Sequence, residues 1–196
     1  MCIRDREKLV ERQSSLLKDL LDVTRLDADS SVRWEEPVNL SQVISDAVDE
    51  IRAQAEKRQV NLNNLAAADG VVVAGNSIQL QRALVNLLAN AVSYTAGDGN
   101  VTVSTQVVDG SQVKVVIKDD GVGIDPDDLP HIFDRFYRGD KARTRAGGGT
   151  GLGLAITHEI IKRHRGAVEV DSQVGAGTQF TVILPVLSSS ESIKDG

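Results

Sequence analysis

Two runs of alternating apolar residues, Val101 to Val107 and Val113 to Ile117, lie on either side of an Asp109-Gly110 pair. Alternation sends successive side chains to opposite faces, and Asp-Gly favours a tight turn, so the stretch reads as a β-hairpin with one face to bury. That face needs a second layer. Three stretches at helical spacing can supply it: Leu40, Val43, Ile44, Ala47, Val48 and Ile51; then Leu80, Ala83, Leu84, Leu87 and Leu88 within Ser77 to Tyr94; then about Gly151 to His164. Asn39, with Gln42 three residues on, marks the start of the first helix. Short strands are expected at Val60 and Leu62, Val71 to Val73, Ala167 to Asp171 and Thr178 to Leu184. Helices and strands do not alternate strictly, so the expected class is α+β: a two-layer sandwich of a mixed β-sheet with helices on one face.

Composition narrows the function classes. Aromatics are 3% of the chain, which leaves Val, Leu, Ile and Ala to build the core and little material for stacking bases. Together with a net charge of −6, this argues against a nucleic-acid partner. One local exception is basic: Arg135, Arg138, Lys141, Arg143 and Arg145, opposed only by Asp140. The single cysteine, Cys2, excludes an internal disulfide and a cysteine-cluster metal site. No apolar run approaches the ~20 residues that span a bilayer, so the expectation is a cytoplasmic domain.

Outside the sandwich, residues 7–28 carry an amphipathic stripe too broad for a lone surface helix, which suggests one member of a helical bundle. Residues 29–36 read as a linker and residues 37–187 as the main domain. The polar tail, 188–196, is expected to be disordered. The opening Met-Cys-Ile-Arg-Asp-Arg matches what a transposon end used in DNA library preparation encodes, so residues 1–6 are expected to be a non-native leader.

Three patterns carry chemistry. Asn86 and Asn90 lie four apart on a helix, on the side opposite its leucines, so two hard amide oxygens can approach one ligand such as Mg²⁺. Asp119 ends an apolar strand and is followed by Gly121 and Gly123. A carboxylate there can accept from a purine amino group while the glycines let the backbone approach a flat ring. Finally, Gly147-Gly148-Gly149-Thr150-Gly151-Leu152-Gly153-Leu154-Ala155-Ile156 runs from a glycine-rich loop into a helix, a natural phosphate cradle. Neither the P-loop pattern nor the dinucleotide-binding G-x-G-x-x-G is present.

In order and spacing these segments resemble the motifs of the histidine kinase ATPase family. LVNLLANAVSYT is similar to the N box, DDGVGI to the G1 box, LPHIFDRFYRGD to the F box, GGGTGLGLAI to the G2 box and GAGTQFTVILP to the last glycine motif. The earlier LLDVTRLDADS is similar to the end of the second dimerisation helix of bacterial two-component sensor kinases. The resemblance implies the Bergerat (GHKL) ATPase fold and an ATP site formed by Asn86, Asn90, Tyr94, Asp119, Gly121, Gly123, Ile124, Phe136, Tyr137, Arg138, Gly149, Thr150, Gly151, Leu152, Gly153, Leu154 and Thr178. It further implies that Asn90 ligates Mg²⁺ with Asn86 assisting, and that Phe133 and Phe136 anchor a lid. Ser93 departs from the family pattern, standing where Lys or Arg is common.

The implied activity is transfer of the ATP γ-phosphoryl group to a dimerisation-domain histidine and onward to a response regulator. The intact protein would be a homodimer anchored in the bacterial inner membrane. No phosphoacceptor is assigned: His158-Glu159 has the residue pattern but lies on the helix after the glycine loop, and the first dimerisation helix has no counterpart, so the chain alone is not expected to autophosphorylate. An anti-sigma-type serine kinase shares the fold, but the dimerisation-like helix and long lid argue against it. A degenerate, non-catalytic binding module is opposed by the intact Asn90, Asp119 and glycine loop.

Overall fold

A computed structural model describes residues 36–139 and 150–187. The expected leader, bundle helix and polar tail lie outside the described residues, as do Gly149 and most of the basic cluster. β1 (Glu36–Asn39) leads into α1 (Leu40–Lys57), β2 (Asn61–Leu65), β3 (Val72–Gly75) and α2 (Ser77–Tyr94). β4 (Asn100–Val108), β5 (Gln112–Asp119), a short 3-10 turn at Leu129–His131, α3 (Gly153–Arg163), β6 (Ala167–Gln173) and β7 (Gly177–Pro185) complete the order.

The main sheet has the order β2-β4-β5-β7-β6, with β2 parallel to β4 and every other pairing antiparallel. The expected hairpin is its centre. Asp109 and Gly110 both take positive φ, as primed hairpin turns require, and Ser111 N–H donates to Val108 O. Val101 and Val103 on β4, Val113, Val115 and Ile117 on β5, and Phe180, Val182 and Leu184 on β7 are buried beneath the helices. Alternate residues such as Lys114 and Lys118 face away. The core is aliphatic, as the composition requires, with Phe180 its one fully enclosed aromatic among the described residues.

Two differences from the expectation have local causes. Glu36, expected as the last linker residue, belongs to β1, which pairs antiparallel with β3 as a separate two-stranded ribbon. With Val38 its only buried residue, β1 carries too little pattern to announce a strand, and an outer position tolerates Pro37. At the start of α1, Asn39 Oδ1 accepts from Gln42 N–H at 3.3 Å, but the Gln42 side chain donates forward to Asp46 at 2.7 Å, so only half of a capping box forms.

α2 and α3 are locked together far from the glycine loop by His164, just beyond the end of α3. Its Nδ1–H donates to Ile160 O at 2.7 Å and its Nε2 accepts from Asn76 N–H at 3.0 Å, which fixes one neutral tautomer. Asn76 in turn caps α2 through Gln79 N–H. Gly75 is required here, because a Cβ would collide with the imidazole. Burial lowers the His164 pKa below its ordinary value of 6.5, outweighing the Ile160 carbonyl, which favours the charged ring. The folded chain therefore refuses a proton that the unfolded chain takes up. The stability tied to a neutral imidazole is complete above about pH 6.5 and declines as pH falls toward the lower folded value. His164→Gln is expected to be less stable by about 2 kcal/mol at about pH 8, since buried partners lose good geometry. The gap to the unaltered chain should narrow at about pH 5.5 in urea titrations; a gap that stays constant would contradict a neutral, buried His164.

Candidate functional site

The motifs meet at the opposite end of the molecule, where β5 ends, β7 begins and α2 finishes. Asp119 and Thr178 are cross-strand partners in the register of β5 and β7. Asp119 is only 4% exposed, and its Oδ1 accepts two backbone N–H groups, Gly121 at 2.9 Å and Thr178 at 3.3 Å. Burial raises its pKa, with the two N–H donors opposing the shift. Among the described residues Oδ2 has no hydrogen-bond partner, so it is the oxygen available to a ligand.

Glycines make room for this arrangement. A Cβ on Gly121 would sit 2.6 Å from Tyr94 O and 2.7 Å from Asp119 Oδ1. Gly123, at φ +69°, passes so close to the Gln173 carbonyl that a Cβ would collide with it. The turn is tied on both sides: Val122 N–H donates to Tyr94 O, and Gly175 N–H donates to Val122 O. Ile124 N–H donates to Ser172 Oγ at 2.8 Å, and that hydroxyl also meets Thr178 Oγ1 at 2.9 Å and Gly177 O at 3.0 Å.

Asn86, Asn90 and Tyr94 follow one another a turn apart along one side of α2, each half-buried. Asn86 Nδ2 donates to Gly153 O at 3.1 Å, so this carboxamide joins α2 to the first turn of α3 and only its oxygen is left for a ligand. The donor set fits Mg²⁺: hard amide oxygens in small number suit an ion that completes its shell with phosphate oxygens and water. No group of three or more His, Cys, Asp or Glu residues able to hold a metal occurs among the described residues.

The loop after Ile124 is more ordered at its base than its composition suggests. Tyr137 OH donates to Asp128 Oδ1 at 2.7 Å, and the Phe133 ring packs on His158 with centroids 5.3 Å apart. Phe136 is 62% exposed, and its backbone, at φ +67°, donates N–H to Gly151 O at 2.9 Å, which ties Phe136 to the start of the glycine-loop segment. Gly151, at φ +75°, leaves no room for a Cβ against Phe136 and Tyr137. Thr150 Oγ1 then accepts from Leu152 N–H, Leu152 is buried, Leu154 packs on the core and α3 begins at Gly153, two residues later than expected. Arg138 is half-buried at the other foot of the strap.

Sequence reasoning missed two residues. Ser172 occupies the third inward position of β6 after Val168 and Val170, and a polar residue in that period is the signal that could have marked it. Arg58 donates to Ser93 O at 3.1 Å, while Gln54 Nε2 meets Ser93 Oγ at 3.4 Å. The guanidinium of Arg58, the residue after α1, thus stands at the C-terminal end of α2 beside Ser93. Nothing in the sequence between them links these positions.

Fold and pocket define one class of protein. The model of the histidine kinase-, DNA gyrase B-, and HSP90-like ATPase family matches residues 75–188, more than half of the chain. The chain belongs to this family. It is 37% identical over 183 residues to the sensor histidine kinase RppB of Synechocystis sp., covering 93% of this chain and 40% of RppB. Of solved structures, the mycobacterial sensor histidine kinase MprB matches with TM-score 0.67 and 30% identity over 78% of this chain and 97% of that one. Full-length ShkA, solved in complex with AMPPNP, matches with TM-score 0.76 and 26% identity over 89% of this chain and 36% of that one. The chain spans about half the length, or less, of the curated relatives it matches. Among the described residues no helix is long and apolar enough to cross a membrane.

The β6–β7 turn offers an internal comparison of two glycines at positive φ. Gly175→Ala meets open space and should cost only the backbone term, about 1–2 kcal/mol. Gly177→Ala drives a Cβ into the Asp119 carbonyl as well, so its loss in urea titration should be at least about twice as large. Equal losses would mean that Asp119 and Gly177 do not pack as described.

Proposed function

We propose that this chain is the ATP-binding catalytic part of a sensor histidine kinase, holding ATP with Mg²⁺ and presenting the γ-phosphoryl group to a histidine of the dimerisation domain. The observation that carries this reading is Asp119: a buried carboxylate with one oxygen accepting two backbone N–H groups and the other without a hydrogen-bond partner among the described residues. A purine amino group is the natural donor to that second oxygen, and Gly121 and Gly123 give the ring access to the backbone.

From the base, the triphosphate runs toward α2 and the start of α3. The N-terminus of α3 would contribute a positive helix end and its backbone N–H groups, and Arg138, half-buried, would add a guanidinium. Asn90, with the oxygen of Asn86 beside it, would hold Mg²⁺, whose chemistry is to neutralise phosphate charge and orient the terminal group. Phosphoryl transfer asks little covalent work of the protein, so positioning and charge neutralisation are what these residues supply. Tyr94, Phe136, Tyr137 and the strap from Gly149 to Leu154 would shield the nucleotide from water.

The acceptor is not among the chain's own histidines. His164 is buried with both nitrogens engaged. His158 is held against Phe133 on α3, and His131 pairs with Asp134 at 2.9 Å. The phosphoryl group would pass to a histidine on the first dimerisation helix and then to a response-regulator receiver domain, within a membrane-anchored homodimer.

Calorimetric titration with a non-hydrolysable ATP analogue tests the reading. Binding in the micromolar range that collapses when EDTA removes Mg²⁺ is expected. Asp119→Asn and Asn90→Ala should each weaken it by about ten- to a hundredfold, the worth of a charge-assisted or metal-linked contact. Undiminished affinity in both folded variants would sink the assignment.

A further inference from the structure

We infer that Ser172 is a specificity-determining residue that acts through Thr178, forcing the Thr178 hydroxyl to face the pocket as an acceptor and thereby selecting a purine that carries an amino group over one that carries an oxo group. The inference rests on the reading above that the pocket holds a purine base.

The argument is an inventory of protons. Ser172 Oγ has three neighbours: Ile124 N–H, Gly177 O and Thr178 Oγ1. A carbonyl oxygen only accepts, so the single Ser172 proton goes to Gly177 O. A backbone N–H only donates, so Ile124 takes one lone pair of Ser172 Oγ. The contact to Thr178 must then be filled by the Thr178 proton entering the remaining lone pair. Ser172 is saturated, and Thr178 has spent its only proton inside the protein.

Thr178 Oγ1 is left with lone pairs alone for any ligand. Its cross-strand partner Asp119 offers Oδ2, also an acceptor, because Oδ1 is occupied by two N–H groups. The pocket edge therefore presents two neighbouring acceptors. An exocyclic amino group brings two N–H donors and matches both, directly or through a bridging water. A 6-oxo base replaces those two donors by an oxygen that only accepts and a single N1–H beside it, so the oxygen faces acceptors and at least one of them is left unmatched, which is the costly direction of mismatch.

Ser172 itself need not touch the ligand. It lies on β6, one strand beyond Thr178, and the same hydroxyl fixes the G1 turn through Ile124 N–H. Replacing it with Ala would free the Thr178 proton to rotate outward, turning an acceptor into a potential donor toward an oxo group. Turn geometry and hydroxyl polarity are thus coupled through one oxygen.

The test measures the dissociation constants of ATP and of ITP, its 6-oxo counterpart, with Mg²⁺. The unaltered chain should prefer ATP. In Ser172→Ala the ATP-to-ITP preference should fall by about tenfold, and Ser172→Thr, which keeps the hydroxyl, should restore most of it. A purely structural serine would weaken both nucleotides equally, and an unchanged preference overturns the inference. Thr178→Val gives a second route should Ser172→Ala fail to fold: it must also lower the preference, and an unchanged ratio there is equally fatal. An unaltered chain that binds neither nucleotide would instead overturn the purine reading itself.

Discussion

A single buried carboxylate organises the active end of the molecule. Asp119 closes β5 beneath the helical layer, where an unpaired charge would be expensive, and the chain answers by turning two backbone N–H groups onto one of its oxygens. Those donors come from Gly121 and from Thr178, so the price of burying the charge dictates the path of the G1 turn and the register of β7. The glycines follow from the same demand, because the backbone must fold back close to Asp119 and Tyr94. A carboxylate held this way is already oriented before any ligand arrives, which lowers the ordering cost of binding.

The two ends of the helical layer solve different problems. At the far end, β1, β3, Asn76 and His164 interlock through buried hydrogen bonds and leave little freedom. At the pocket end, α2 and α3 are joined by the Asn86 carboxamide on Gly153 O, a contact that belongs to helix packing and ligand environment at once. One end is thus held by contacts internal to the fold, while at the other a single carboxamide serves both helix packing and the candidate site.

Much of this was legible in the residues because the signals were periodic or conformationally exclusive. Alternating valines around Asp109-Gly110 gave the central hairpin, and the leucine stripe gave α2 with both of its bounds. The pocket residues on β5, α2 and the glycine loop could be gathered because each motif has its own chemistry. What escaped had weak or non-local causes. β1 holds one buried residue, Val38, and pairs with a strand more than thirty positions away. The bond from Phe136 N–H to Gly151 O is made by backbone atoms alone, which side-chain reasoning does not reach. Ser172 and Arg58 act on residues from other elements, and their roles exist only once the sheet and the helices have assembled.

The bond between Phe136 N–H and Gly151 O has an evolutionary corollary. By pinching together the two feet of the strap, it separates the strap's contour from the geometry of the base pocket. The closure entropy of such a loop grows only logarithmically with its length, by about 0.6 kcal/mol per doubling. Insertions and deletions between these feet are therefore thermodynamically cheap, and relatives of this protein are free to diversify the strap while inheriting an unaltered seat for the base.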